Sequence, residues 1–124
     1  MKALNTTNAP AAIGPYSQAI EANGTVYVSG QLPINPATGE FAEGGIQAEA
    51  RQSLTNIQNI LATEGLTMQN VVKVTVLLAD IGNFAAVNEV YSEFFKAPYP
   101  ARSAFAVAAL PKGANIEIEA IAVK

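Results

Sequence analysis

The chain has 124 residues, of which 50% are hydrophobic and 14% charged, with a formal net charge of −3. It contains no cysteine and no histidine, which excludes disulfides, thiolate chemistry and the commonest general base and metal ligand. The length fits one domain over residues 1–124, no apolar run approaches the roughly 20 residues that span a bilayer, and the basic residues are scattered, so neither membrane nor nucleic acid is an expected partner.

In chain order, Met1 to Ala12 lacks the apolar centre of a secretory leader, which points to a cytoplasmic protein. Ser17 to Ala22 and Thr25 to Gln31 read as strands joined at Asn23-Gly24, a hairpin turn in which both residues accept positive φ. Leu32 to Gly45 carries Pro33, Pro36, Gly39, Gly44 and Gly45 and reads as loop, with a short strand near Phe41. Ile46, Ala50, Leu54, Ile57 and Leu61 recur at helical steps and predict a helix over Ile46 to Glu64, with Gly65 closing it. Val71 to Leu78 is β-branched and nearly all apolar, as a central strand should be. Asn83 to Phe95 predicts a second helix capped by Asn83, with Phe84, Val87 and Tyr91 on one face. Ser103 to Ala108 and Ile116 to Val123 complete the strands.

The order β-β-(β)-α-β-α-β-β defines an α+β domain, a sheet with two helices on one face. The other face is then open, yet Ile121 and Val123 point to it. A small domain buries a limited share of its surface. Surplus apolar residues therefore predict a contact between copies of the chain.

Alternation along Ile116 to Val123 puts Glu117 and Glu119 on one face of the last strand. Such carboxylates either end a solvated strand or sit at a pocket edge holding a water or a proton. Arg102 stands among Ala101, Ala104 and Phe105, where a guanidinium needs an anion. Two partners fit it: a glutamate of the same sheet, or a substrate carboxylate gripped by two parallel hydrogen bonds. Tyr16 follows Gly14-Pro15, Ser29-Gly30 ends a strand, and Asn88 lies beside the apolar stripe of the second helix. Lys73 alternates into an apolar strand and reads as a snorkelling lysine. There is no phosphate loop, dinucleotide fingerprint or metal-spaced carboxylate set.

Six stretches together resemble the reactive intermediate deaminase (Rid, YjgF-type) family, its RidA subgroup in particular. They are Ala-Ile-Gly-Pro-Tyr-Ser-Gln-Ala at 12–19, Val-Ser-Gly-Gln-Leu-Pro-Ile at 28–34 and Val-Val-Lys-Val-Thr-Val at 71–76. The others are Phe-Ala-Ala-Val-Asn-Glu-Val-Tyr at 84–91, Pro-Ala-Arg-Ser at 100–103 and Ile-Glu-Ile-Glu-Ala-Ile-Ala at 116–122. The resemblance implies a chorismate-mutase-like fold and a barrel-like homotrimer with a pocket between each pair of subunits. It implies hydrolysis of 2-iminopropanoate and 2-iminobutanoate to 2-keto acids and ammonia, with no cofactor and no metal.

By the same resemblance, Arg102 binds the substrate carboxylate, Glu117 positions the attacking water, and Tyr16 stands near the imine end. Ser29, Gly30, Phe84 and Asn88 are implied to line the pocket. The family commonly has a cysteine two residues after the arginine; here it is Ala104, whose backbone N–H remains available to a carboxylate. The loop Phe95 to Tyr99 is also shorter than is usual. Two other functions are compatible with the resemblance: a ribonuclease, disfavoured by the acidic composition, and a non-enzymatic module that binds 2-keto acids.

Overall fold

A computed structural model describes residues 1–124. Eight strands and two helices follow the chain: β1 (Lys2–Leu4), β2 (Ala19–Ala22), β3 (Thr25–Gln31), β4 (Ile34–Asn35), β5 (Glu40–Phe41), α1 (Ile46–Ala62), β6 (Val71–Leu78), α2 (Phe84–Phe94), β7 (Ala101–Ala106) and β8 (Ile116–Val123). Six strands form one mixed sheet in the order β1-β2-β3-β8-β6-β7, and β4 and β5 form a separate hairpin. Only β7 runs parallel to its neighbour, β6, and α2 makes that crossover.

Period-two patterning decides which side of the sheet the helices cover. Val74, Val76 and Leu78 of β6 and Ile116, Ile118, Ala120 and Ala122 of β8 are buried. They join Leu54, Ile57, Ile60 and Leu61 of α1 and Val87 and Val90 of α2 in one core of 23 residues. Each fully buried Leu, Ile or Val contributes about 1.5–3 kcal/mol by leaving water. The alternate residues face the other way. Across that uncovered face Tyr27, Phe105 and Val123 remain exposed, as the sequence pattern anticipates.

The β2–β3 hairpin turns at Asn23 and Gly24, with φ of 52° and 81°, which is the positive-φ pair its type of turn requires. Other local expectations shift. β2 begins at Ala19 rather than Ser17, because its ladder with β3 stops at Ala19↔Val28, where β3 enters an irregular stretch between Val28 and Gln31. The Leu32 to Gly45 stretch is more ordered than a loop, since Asn56 of α1 donates to the carbonyls of Leu32 and Ile34 at 3.3 and 3.0 Å and fixes β4. Helix α1 ends at Ala62. Gly65, at φ 71°, then turns the chain so that Leu66 N bonds Leu61 O.

Asn83 does not cap α2 with its side chain. Asp80 does the nearby work, accepting from Gly82 N at 2.8 Å in the 3-10 turn that leads into α2. β7 begins at Ala101, two residues before the expected start, because pairing with β6 sets Arg102 opposite Val74. β1 carries no signal in the sequence: three residues are too few for a period to show. No helix is long and apolar enough to cross a membrane.

Candidate active site

Glu117 belongs to the uncovered face, opposite Leu77 in the β6–β8 pairing. Its neighbour on the other side is a β-bulge in β3, where the register with β8 slips between Val28 and Gln31. A bulge re-aims the residues it contains, and here those are Ser29 and Gly30. A Cβ placed on Gly30 would lie 2.5 Å from Glu117 Oε1 and 2.8 Å from its Cδ. No real side chain tolerates that approach, so glycine at 30 is what lets the carboxylate occupy its position. Ser29 stiffens the bulge by donating from Oγ to Ser17 O at 2.6 Å.

These residues form the floor of a cleft of about 810 Å³ lined also by Tyr16, Leu32, Ile34 and Glu119. Tyr16 is 54% exposed within it. Partial burial pushes the Glu117 carboxyl above the usual carboxylate range, and the neighbouring negative charge of Glu119 adds to the shift. The cleft thus holds a carboxyl group biased toward keeping its proton, with hydroxyls and apolar walls around it. No group of three or more His, Cys, Asp or Glu side chains that could hold a metal ion occurs in the fold.

One wall comes from residues whose types suggest no role in chemistry. Pro10, Ala11 and Ile13 line the cleft, and a single buried side chain holds the segment before them. Gln18, 2% exposed, accepts from Thr6 N at 2.8 Å and donates to Thr6 O at 3.0 Å and Pro10 O at 2.8 Å. Its amide substitutes for a strand partner along an otherwise unpaired stretch. The signal was present as a polar residue just before an apolar strand, but nothing local says what it bonds.

Arg102 lies elsewhere. It pairs with Val74 and so projects to the helix-covered side of the sheet edge. Its Nη1 donates to Asn88 Oδ1 at 2.7 Å. The guanidinium carbon stands 5.1 Å from the Phe84 ring centre and 4.7 Å from that of Tyr91. The Tyr91 hydroxyl is buried without a hydrogen-bond partner. Burial raises its pKa, and the positive charge of Arg102 opposes the shift. The glutamate partner in the same sheet, one of the two expectations for Arg102, is not there: the ion pairs join Lys2 and Lys124 to Glu64, Lys124 to Glu21, and Arg51 to Glu93. Ala104 shares the strand face of Arg102 and packs half-buried against the core. Lys73 donates to Ser103 Oγ at 3.2 Å on the open face.

The residues singled out in the sequence therefore fall into two clusters. Tyr16, Ser29, Gly30 and Glu117 share the cleft. Phe84, Asn88, Arg102 and Ala104 gather at the β7–α2 edge, across the sheet from Glu117. One chain does not bring the two together.

A mixed sheet backed by two helices, with a carboxylate held against a glycine in a cleft, defines a small α+β protein. A family model described as Endoribonuclease L-PSP matches residues 6–124, and the chain belongs to that family. Among curated relatives, the 2-iminobutanoate/2-iminopropanoate deaminase of Capra hircus is 57% identical over 121 residues, covering 98% of this chain and 88% of its own. The human protein of the same name is 51% identical over 123 residues, with 99% and 90% covered. Among solved structures, RidA from an Antarctic Psychrobacter superposes with a TM-score of 0.96 at 46% identity over 100% of both chains. E. coli TdcF with bound serine gives 0.95 at 45% identity, covering 100% of this chain and 99% of that one.

Proposed function

We propose that this protein is an enzyme that hydrolyses 2-imino acids, 2-iminobutanoate and 2-iminopropanoate among them, to 2-keto acids and ammonia. Near-full-length identity of 51–57% to deaminases of that name supports it. The observation in the fold that carries it is the Glu117 carboxyl held over Gly30 at the cleft floor. A group that hydrolyses an imine must take a proton from water and return one to nitrogen. A carboxyl with a raised pKa suits both transfers.

The steps balance without a cofactor. Water attacks the carbon of the protonated imine while the Glu117 carboxylate accepts one of its protons, giving a neutral carbinolamine. The proton passes to nitrogen, assisted by the Tyr16 hydroxyl at the cleft mouth. The C–N bond then breaks, ammonia leaves with the bonding pair, and the oxygen loses its proton as the carbonyl forms. Arg102 grips the substrate carboxylate in two parallel hydrogen bonds and fixes the orientation of the imine carbon. Ser29 and Gly30 shape the wall beside Glu117, Phe84 and Asn88 surround the anchor, and the Ala104 N–H faces the same carboxylate.

Arg102 and Glu117 act on one substrate only if they come from neighbouring copies. The uncovered face with exposed Tyr27, Phe105 and Val123 supplies an apolar surface for that association, and a homotrimer with three inter-subunit sites satisfies it.

The test generates 2-iminobutanoate in situ from an amino-acid dehydratase, under conditions where imine decay limits keto-acid formation. Added protein should accelerate that formation, and Arg102→Ala should abolish the acceleration. No acceleration by the wild-type protein refutes the proposal. A non-catalytic keto-acid binder, by contrast, gains nothing from an anion such as Glu117 beside its ligand.

A further inference from the structure

We infer that Asn88 is a positioning residue whose neutral amide aims the Arg102 guanidinium without cancelling its charge. The inference rests on the proposal that Arg102 anchors the substrate carboxylate. Three observations lead to it.

The first is the geometry of α2. Phe84, Asn88 and Tyr91 are spaced by four and three residues, so they form one stripe along the helix. Arg102 lies along that stripe, its guanidinium carbon 5.1 Å and 4.7 Å from the two ring centres and its Nη1 2.7 Å from Asn88 Oδ1. The rings restrain the plane of the group, and Asn88 fixes its rotation within that plane. A guanidinium has five N–H donors. Asn88 engages one at Nη1, which leaves the edge formed by Nε and Nη2 for a two-point grip on a carboxylate.

The second is the absence of any carboxylate within ion-pair distance of Arg102. The two glutamates nearest to Asn88 on α2 are both turned toward α1. Glu89 Oε2 accepts from Gln47 Nε2 at 2.9 Å, and Glu93 pairs with Arg51 at 2.9 Å. Both acids of the helix are thus engaged elsewhere, and no carboxylate of the same chain pairs with Arg102.

The third is the choice of acceptor. Aspartate is nearly isosteric with asparagine and would hold Nη1 more strongly. It would also be an internal carboxylate on the group meant to bind an external one. An amide oxygen orients and does not compete.

The consequence is an unusual ranking of variants. A residue at position 88 that matters only for packing is best replaced by its isostere, so Asp should outperform Ala. If Asn88 aims an uncompensated cation, Asp should be worse than Ala.

The experiment uses the full chain carrying Asn88→Ala, Asn88→Asp and Asn88→Gln, with Arg102→Ala in parallel and circular dichroism to check the fold. Two quantities are read: KM and kcat for imine hydrolysis, and the Kd of 2-oxobutanoate, the stable product, by calorimetry. Asn88→Ala should raise KM and Kd roughly tenfold, the effect of losing one hydrogen bond to a charged group, with a smaller change in kcat. Asn88→Asp should weaken 2-oxobutanoate binding further still. Asp binding at or above the level of Ala, or wild-type KM in Asn88→Ala, overturns the inference. If the Asp variant does not fold, Gln against Ala decides. Gln keeps a neutral carbonyl and should bind more tightly than Ala, and equal affinities overturn the inference. Wild-type affinity in Arg102→Ala would instead remove the anchor itself.

Discussion

If the site is shared between copies, two inactive variants should make an active mixture. Arg102→Ala removes the carboxylate grip and Glu117→Gln removes the proton acceptor; each should lose about 10²–10⁴-fold in kcat/KM. The sheet shows why one chain cannot supply both groups. Glu117 stands on β8 opposite Leu77, and Arg102 on β7 opposite Val74, two strands and three residues apart. At about 4.8 Å between strands and 3.3 Å per residue, their backbones are about 14 Å apart. Their side chains also leave the sheet on opposite faces. In a trimer of randomly mixed variants, a site works when its arginine comes from a Glu117→Gln chain and its glutamate from an Arg102→Ala chain. With equal amounts that holds for about one quarter of the sites. The two proteins, mixed in denaturant and refolded together, should therefore recover about a quarter of wild-type imine hydrolysis, far above either variant refolded alone. Mixed assemblies that form, verified with a charge tag on one variant, and stay at background refute the shared site.

Gly30→Ala should abolish imine hydrolysis while leaving a folded protein, because its Cβ would sit 2.5 Å from Glu117 Oε1 and displace the carboxylate; steady-state kinetics beside a melting curve checks it. Glu117→Gln should raise the melting temperature at neutral pH. The folded-state pKa of Glu117 lies above its unfolded value, so its contribution to stability is present below the ordinary carboxylate range and is lost as pH rises through the raised value. The advantage of Gln should accordingly shrink as pH falls toward 4, and a difference that is constant with pH contradicts the assigned shift. Gln18→Leu should cost about 2–4 kcal/mol, since it leaves several partly buried backbone groups of residues 6–10 unpaired at once; urea denaturation measures it, and a variant as stable as wild type contradicts the stapling role.

Patterning made the central elements legible. β3 follows the Asn23-Gly24 turn as expected, β6 spans its β-branched apolar run, β8 spans its alternating one, and both helices fall on their predicted stripes. In each case many residues agree on one element, and burial in the common core enforces it. The failures lie where a few tertiary bonds outweigh local preference. Asn56 reaches from α1 to order β4, the irregular stretch of β3 after Val28 ends its ladder with β2 at Ala19, and parallel pairing with β6 moves the start of β7 to Ala101. The partners of β4 and β7 lie outside any local window: Asn56 is 22 residues from Ile34, and β7 pairs with β6 across the whole of α2.

The candidate site was legible as a set of residues but not as an arrangement. Alternation within a strand places Glu117 and Glu119 on one face, and it places Arg102 with Ala104; it cannot relate the faces of two strands such as β7 and β8, which follow one another in the chain but are not neighbours in the sheet. That relation comes from the position of β6 between β7 and β8, and it puts the expected anchor and the expected base on opposite sides. The same topology bears on the composition. A chain that is half hydrophobic leaves Tyr27, Phe105 and Val123 exposed on the face that carries Glu117. If that face meets a neighbouring copy, one association covers the apolar surplus and delivers Arg102 to Glu117, so that dissociating the copies should cost stability and activity together. Dilution then provides the decisive contrast: specific activity should fall in the concentration range where sedimentation shows dissociation. Activity that survives in the dissociated chain would mean that Glu117 finds its anchor without a neighbour.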